Sequence, residues 1–237
     1  MHLKRLCAPR IEKRAKGRWV IRPSPGPHPL QHSLPLLTIV RDVLGLCDTA
    51  AEGRRVISRG EIWVDGKPRK DYRYPVGLMD LVSIPRLGKR YRVLAGPRGK
   101  LKFVKEKETK SKEGKKPSEA EKLPKSDWKL VRIENKTQTS QGLQLNLHDG
   151  RNLLIKETDK WSQSPGDALK IELPSQRVLE SFPLAAGTLA LILGGKHVGQ
   201  VSRIKKVERG TVWLENFETV KRYVFPIGVK EPQIRME

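Results

Sequence analysis

Cysteine is nearly absent from this chain of 237 residues, which contains only Cys7 and Cys47. Two thiols so far apart provide neither a disulfide framework nor the paired spacing of a zinc site. The sequence therefore favours a protein that works in the reducing cytosol.

Long apolar runs are missing too. The most apolar stretch, residues 184–193, contains Gly187 and Thr188 and is far shorter than the roughly 20 residues that a membrane-spanning helix needs. The N-terminus, Met1 to Arg5, has no apolar core of the kind found in secretory signals. We therefore expect no membrane partner and a cytoplasmic location.

Aromatic residues make up only 5% of the chain. Proteins that hold single-stranded nucleic acid stack successive bases on aromatic side chains, so this scarcity disfavours that binding mode. Contacts with phosphates and recognition of the shape of folded RNA fit the composition better.

Acidic residues are few relative to basic ones: 26 against 48, which leaves a net charge of +22. A surplus of this size predicts a polyanionic partner, and nucleic acid is the leading candidate. Its distribution is uneven, with +7 in residues 1–33, +8 in 34–104, +2 in 105–127 and +5 in 128–237. The binding surface is therefore expected mainly in the first 104 residues.

Groupings typical of catalysis or metal binding are not found. The five histidines are not spaced for either task, and we expect them to be solvated or to contact phosphates; they are His2, His28, His32, His148 and His197. Gly194-Gly195-Lys196 is not a Walker phosphate loop, because Ala190 and His197 occupy positions that need other residues. This turn could contact an RNA phosphate or be a structural turn only. We expect no cofactor, no metal, no small-molecule substrate and no enzymatic activity.

Residues 49–84 are the most informative stretch. Thr49 and Glu52 form a capping-box pattern that starts a helix, and Gly60 stands where a left-handed residue would end it. Asp65-Gly66 is a pair typical of a tight hairpin turn. Cations lie on the predicted helix (Arg54, Arg55, Arg59) and near the hairpin (Lys67, Arg69, Lys70). Such a helix and hairpin unit is suited to binding phosphates.

Five segments are predicted from these patterns, in an α+β, multidomain fold. Residues 1–35 form a basic, proline-rich arm, and 36–104 form the RNA-binding module with its following strands. Residues 105–127 are a charged linker or insertion, 128–183 a central β-domain, and 184–237 a five-stranded, half-open barrel.

The arm has four prolines in residues 23–29, which exclude a helix and predict an extended path. It should order against a partner, although a plain disordered tail is the other interpretation. Leu36 to Leu44 show helical spacing and predict a first amphipathic helix that ends at Gly45, and residues 91–104 a strand pair.

The second half alternates as strands do. Strands are predicted at 143–147, 153–155 and 166–173, with a hairpin turn at His148-Asp149-Gly150. In the last segment they are predicted at 189–193, 201–207, 211–214 and 223–227.

These motifs carry a family resemblance. Residues 49–84 resemble the S4-type RNA-binding module, and residues 187–213 resemble a KOW motif, with Gly195 and Gly199 flanking a basic loop. With the arm and with Tyr74 to Asp80, the whole chain resembles the S4e family of archaeal and eukaryotic small-subunit ribosomal proteins. The charged stretch 105–127 is longer than that family leads us to expect, and the short C-terminal end favours an archaeal member.

The resemblance implies a structural protein of the small ribosomal subunit, without catalysis, whose partners are small-subunit rRNA and neighbouring ribosomal proteins. It also implies that the C-terminal barrel is SH3-like. We expect the basic residues of the arm, module and KOW loop to contact rRNA; they are Lys4, Arg5, Arg10, Arg14, Lys16, Arg18, Arg22, Arg54, Arg55, Arg59, Lys67, Arg69, Lys70, Arg86, Lys89, Arg90, Arg98, Lys100, Lys196 and His197.

Two other functions remain open at this point. RNA-modifying enzymes also carry the S4-type module, although the β-segments here offer only scattered turn carboxylates, Asp149, Asp159 and Asp167. The second open function is that of a transcription or translation factor, which would bind protein through a KOW barrel.

Overall fold

We describe a computed structural model of the chain over residues 2–9, 18–106, 128–155, 162–229 and 231–234. Within these ranges the fold is mostly β, with two short α-helices, so the predicted α+β class overstates the helical content. No helix in the described ranges is long and apolar enough to cross a membrane.

The strands of these ranges are β1 (His2–Lys4), β2 (Trp19–Ile21), β3 (Ser33–Pro35), β4 (Trp63–Val64), β5 (Lys67–Pro68), β6 (Pro75–Gly77), β7 (Leu81–Ile84), β8 (Lys89–Ala95), β9 (Leu101–Lys105), β10 (Trp128–Thr139), β11 (Gly142–Leu147), β12 (Asn152–Ile155), β13 (Ala168–Glu172), β14 (Val178–Phe182), β15 (Leu189–Ile192), β16 (Val201–Glu208), β17 (Thr211–Leu214), β18 (Glu218–Val220) and β19 (Val224–Gly228). They form three five-stranded antiparallel sheets and two strand pairs, β1–β2 and β3–β6.

The predicted first helix is shorter and less regular than expected. Helix α1 covers only Leu36–Thr38, and a π-helical turn follows over Ile39–Val43. Residues 36–40 are all buried, so this segment has no solvent-facing side, whereas a regular amphipathic helix needs one. Gly45, with φ of 64°, ends the segment at the predicted residue.

Helix α2 covers Ala50–Ser58, and both of its ends follow the predicted chemistry. The Thr49 Oγ1 accepts a hydrogen bond from the Glu52 amide at 3.2 Å. At the other end the Gly60 amide donates to Ile57 and the Glu61 amide to Val56. This is the Schellman arrangement, and it needs the left-handed Gly60.

The first sheet has the order β5-β4-β7-β8-β9 and packs on the helices. The predicted hairpin turn is confirmed: β4 pairs with β5, and both Asp65 and Gly66 have positive φ, at 53° and 74°. The predicted strand pair at 91–104 is confirmed as β8 and β9.

The central sheet has the order β12-β11-β10-β13-β14. Its long strand β10 pairs with β13 through its first half and with β11 through its second. The turn that joins β11 to β12 contains Asp149 and Gly150, as predicted.

The C-terminal sheet has the order β18-β17-β16-β15-β19. Its five strands are confirmed, but β18 and β19 do not pair with each other, so the sheet does not close into a barrel in the described residues. A KOW barrel is therefore not confirmed.

One apolar cluster joins the three sheets. It includes Met79 from the turn before β7, Leu94 from the first sheet, Leu130 from the central sheet, and Leu191 and Phe225 from the C-terminal sheet. Because each sheet covers part of the same core, each helps to position the other two.

The arm is not a free extended tail where it is described. Strands β1 and β2 pair, and the Ser24 amide donates to the Arg73 carbonyl at 2.9 Å. A Cβ on Gly26 would lie 2.5 Å from the Pro75 ring, and one on Gly150 would lie 3.3 Å from the Pro27 carbonyl oxygen. This proline-rich segment therefore orders against the protein itself, since it contacts β6 at Pro75 and the β11–β12 turn at Gly150.

Candidate nucleic-acid interface

Helix α2 turns three arginines toward solvent. Gly53 and Ile57 face the core, whereas Arg54, Arg55 and Arg59 are exposed. Glycine is required at the inner position because a Cβ there would meet the Leu37 side chain at 2.5 Å. The small inner face holds the helix close to the core and leaves the cationic face outward.

The hairpin places a second set of cations beside the C-terminal end of α2. A Cβ on Gly60 would lie 3.9 Å from Cε of Lys70 and 3.6 Å from Cβ of Pro68. Lys67 and Lys70 are exposed, and Arg69 is half-buried. The structure thus brings together the helix and hairpin cations that the sequence singled out.

Two of these arginines are held against aromatic rings. The Arg54 guanidinium lies 4.8 Å from the centre of the Tyr72 ring, and that of Arg69 lies 4.3 Å from the centre of the Tyr74 ring. Stacking of this kind restricts a flexible side chain. An arginine that is already oriented loses less entropy when it binds a phosphate.

The cations of this surface are largely uncompensated. In the described ranges, no carboxylate forms an ion pair with Arg54, Arg55 or Arg59. Arg86 does have a partner, Glu61 at 3.0 Å, but exposed pairs of this type contribute at most about 1 kcal/mol. Lys89 and Arg90, at the start of β8, are half-buried.

The remaining predicted cations fall into two further places. Arg98 and Lys100 occupy the turn between β8 and β9, and Lys196 and His197 the turn between β15 and β16. Near the N-terminus, the exposed cations flank the β1–β2 pair; they are Lys4, Arg5, Arg18 and Arg22. Arg10, Arg14 and Lys16 lie outside the described residues.

Behind this surface lies a buried charge cluster that sequence reasoning missed. Lys129, at the start of β10, is fully buried. Its Nζ lies 2.9 Å from Oδ2 of Asp65, 2.5 Å from Oδ1 of Asp80 and 2.9 Å from Oδ2 of Asp149. Arg151 joins the cluster, with its Nη2 2.6 Å from Asp65.

The cluster ties three segments of the chain together. Asp65 and Asp80 belong to the first sheet and its turns, Lys129 and Asp149 to the central sheet, and His28 to the arm. Nε2 of His28 donates to Oδ2 of Asp80 at 2.9 Å. The backbone supports the carboxylates, since the Leu81 amide donates to Asp65 at 3.0 Å and the Gly77 amide to Asp80 at 2.9 Å.

Mutual pairing keeps these groups ionised. Burial by itself would raise the pKa of Asp80 and of Asp149, but the Lys129 charge, acting together with the neighbouring cationic groups and the hydrogen bonds to them, lowers both pKa values below their ordinary range. Burial likewise opposes the charged form of Lys129, yet its three carboxylates raise the pKa of the amine. Lys129, Asp80 and Asp149 are therefore charged, and removal of one partner would leave the others buried and uncompensated.

Two histidines differ from the expectation that all five are solvated or phosphate-bound. His28 is buried against Asp80. Nδ1 of His148 accepts a hydrogen bond from the Arg132 amide at 3.1 Å, and its ring meets Phe225 edge-on. Burial of the His148 ring, together with the Lys129 charge, lowers its pKa to about 3. His28 is buried and His148 is half-buried, and both rings are engaged by distant segments of the protein.

Two more cations serve the interior rather than the surface. Arg92 is buried, lies 4.4 Å from the centre of the Trp128 ring and donates to Glu106 at 2.6 Å. Arg132 donates to the carbonyls of Arg222 and Val224, and so connects the central and C-terminal sheets. The positions of Lys129 and Arg92 within alternating strands were the available signal, but a cation at such a position usually faces solvent.

Metal-ligating side chains are not gathered anywhere in the described part of the chain. The cationic surface can bind an extended anion by several phosphates at once.

Comparison with known proteins agrees with this reading. Residues 122–178 match the model of the ribosomal family S4e, residues 34–82 that of the S4 domain, and residues 1–31 that of the RS4NT domain. The helix and hairpin cations thus lie in the segment that matches the S4 domain.

The chain is also similar to curated proteins over nearly its whole length. It is 42% identical to small ribosomal subunit protein eS4 of Staphylothermus marinus, with 99% of this chain and 95% of that protein covered. For the protein of the same name from Methanocaldococcus jannaschii the identity is 43%, and the coverage is 99% and 97%. The crystal structure of 30S ribosomal protein S4e from Thermoplasma acidophilum has a TM-score of 0.68 and 30% identity, over 84% of this chain and 96% of that one.

Proposed function

This chain belongs to the S4e family of ribosomal proteins, and on that premise we propose that it is a structural component of the small ribosomal subunit in the cytoplasm. Its partners are small-subunit rRNA and neighbouring ribosomal proteins, and it supports translation by stabilising folded rRNA. It is not an enzyme, which removes the RNA-modifying alternative.

One observation carries the proposal. Helix α2 and the β4–β5 hairpin place their cations side by side, and the helix arginines have no carboxylate partner in the described ranges. Uncompensated charge on a rigid unit favours binding to a polyanion, because each neutralised phosphate releases condensed counterions.

The proposed contact set contains every basic residue that the sequence singled out. The proposed domain organisation is the five segments predicted from the sequence. The C-terminal sheet is proposed as a KOW-type, SH3-like unit. Its five strands, its loop between Gly195 and Gly199, and the short 3-10 turn at Lys221–Tyr223 before the last strand support that assignment.

Salt dependence tests the proposal. If about eight phosphates are engaged, the logarithm of rRNA affinity should fall with the logarithm of salt concentration with a slope near −7. Replacing Arg54, Arg55 and Arg59 by Ala should weaken binding and reduce that slope by roughly 2.7, since each lost contact removes about 0.9. The measurement is filter binding to transcribed small-subunit rRNA over a KCl series.

A charge-matched control separates a local contact from net charge. Arg203, Lys205 and Lys206 are exposed on β16 and lie outside the proposed contact set. The triple Ala variant at these positions loses the same three charges, and it should leave the slope nearly unchanged. Equal slopes for the two triple variants would contradict α2 as the contact face.

The KOW-factor alternative is tested by sedimentation. A structural component should remain with small subunits through a high-salt wash. Release in that wash would favour a transiently bound factor.

A further inference from the structure

Two basic turns from different sheets touch through their backbones. A Cβ on Gly199, in the β15–β16 turn, would lie 2.7 Å from the carbonyl carbon of Gly96 and 2.9 Å from the backbone nitrogen of Pro97, in the β8–β9 turn. No side chain fits at such a distance, so glycine is required at position 199 by this contact as well as by its φ of 85°.

The contact brings the cations of both turns into one neighbourhood. Arg98 and Lys100 follow Gly96 by two and four residues, and Lys196 precedes Gly199 by three. A chain spans at most about 3.6 Å per residue, so with the contact itself included the Cα atoms of Arg98 and Lys196 lie within roughly 24 Å of each other. Arg98 and Lys196 are exposed, so one RNA element can reach both.

The β15–β16 turn is held rigid before any RNA arrives. Gly194 lies against the Tyr223 ring, where a Cβ would be 2.5 Å from the ring. His197 stacks on Phe217, with ring centres 4.0 Å apart and planes inclined by 16°. The Gly199 amide donates to the Ile192 carbonyl at 2.8 Å. Because the turn is already fixed, its backbone loses little further entropy when Lys196 binds a phosphate.

The β8–β9 turn holds Arg98 in an unusual conformation. Its φ of 59° and ψ of 24° are left-handed, although it is not glycine. Such a conformation is strained for a residue with a Cβ, and strain of this kind is concentrated at sites that bind ligands. The Gly96 amide, which donates to the Lys100 carbonyl at 2.7 Å, closes the turn, and Arg98 is exposed at its tip.

We propose that these two turns form a single phosphate-binding site, which crosses the boundary between the first and C-terminal sheets and takes the backbone of one folded RNA element. The inference rests on the proposed function and adds that Arg98, Lys100 and Lys196 act together. The S4-like unit and the C-terminal sheet therefore bind as one surface and not as two independent modules.

Matched glycine variants test the contact. Gly195 and Gly199 have nearly the same φ, 87° and 85°, but a Cβ on Gly195 meets nothing within 4 Å. Gly195→Ala and Gly199→Ala thus share the backbone penalty, and only Gly199→Ala pushes the turns apart. We expect Gly199→Ala to weaken rRNA binding by roughly tenfold more than Gly195→Ala, about the worth of one charged hydrogen bond. Equal affinities would overturn the proposal.

Surface variants keep the test decisive if Gly199→Ala does not fold. Arg98→Ala and Lys196→Ala leave the backbone contact intact, and each should remove hydroxyl-radical protection from the same rRNA element. Protection lost at two unrelated elements would overturn the single site. The single site would also be overturned if neither variant lost protection while the triple Ala variant of Arg54, Arg55 and Arg59 still bound rRNA more weakly. That outcome would leave the proposed function standing. Absence of any rRNA binding by the parent protein would overturn both.

Discussion

Replacing Lys129 by Met should destabilise the folded protein more than any surface lysine substitution. The amine is fully buried among three carboxylates, at 2.5 to 2.9 Å. Methionine has nearly the same length and volume, so the change removes the charge without opening a large cavity. It leaves Asp65, Asp80 and Asp149 facing each other with Arg151 and His28 as the remaining partners.

The magnitude follows from the imbalance that remains. Removing one partner from a buried ion pair costs about 3–5 kcal/mol, because the other charge stays buried and uncompensated. For a chain of this length each kcal/mol lowers the melting temperature by about 2–4 °C, so we expect a fall of roughly 10 °C. The destabilisation should shrink as the pH falls below about 5, since the stranded carboxylates then take up protons.

Thermal unfolding followed by tryptophan fluorescence measures the effect. Lys206→Met is the matched control, because Lys206 pairs with Glu208 on the surface and its side chain is 68% exposed. Exposed pairs contribute at most about 1 kcal/mol, so this variant should melt within about 3 °C of the parent. If Lys129→Met melts as the control does, the cluster does not hold the three segments together.

Three further substitutions probe the same junction. The pKa of His148 is lowered from 6.5 to about 3 by burial. Between those pH values the ring therefore binds a proton in the unfolded chain but not in the folded chain. Stability should therefore be lost as the pH falls through this range, by about 1.4 kcal/mol per pH unit, and His148→Asn should remove that slope in melts recorded from pH 7 to 4; an unchanged slope would assign it to other groups. A Cβ in Gly77→Ala would meet the His28 ring at 2.3 Å, so limited trypsin digestion should cut the variant faster after Arg18. The same acceleration is expected for His28→Ala, and a parent-like digestion pattern in both would show that His28 does not anchor the arm.

Local chemistry made the turns and caps predictable. The Thr49 cap, the Gly60 stop and the Asp65-Gly66 turn each depend on residues within a few positions of one another, and all three are present. Their geometry is determined by φ preferences and short-range hydrogen bonds, which a sequence displays directly. The cations that these elements carry could therefore be placed together correctly.

Periodicity was less reliable for the first helix. Leu36 to Leu44 repeat as a helix does, but the repeat does not reveal how many sides of the segment will be covered. Residues 36–40 are all buried, and the backbone changes from α to π within the segment. Tertiary packing overrode the local preference here.

Contacts between distant segments could not be predicted. The partners of Lys129 are 64, 49 and 20 positions away in sequence. Lysine is almost never fully buried without a partner, so an isolated lysine in a strand is best read as exposed. The same limit applies to His28, whose role depends on Asp80 and Gly77. Asp149 was recognised only as a scattered turn carboxylate, because nothing nearby in sequence revealed its buried partner.

The basic residues of this protein thus do two kinds of work, which net charge alone does not distinguish. Lys129, Arg92 and Arg132 are engaged within the protein, by carboxylates and carbonyl oxygens, and release no counterions when RNA binds. Arg54, Arg55 and Arg59 have no such partner in the described ranges, so RNA phosphates can neutralise them. The salt dependence of binding should therefore follow the exposed cations, and the net charge of +22 overstates the number of phosphates that the protein engages.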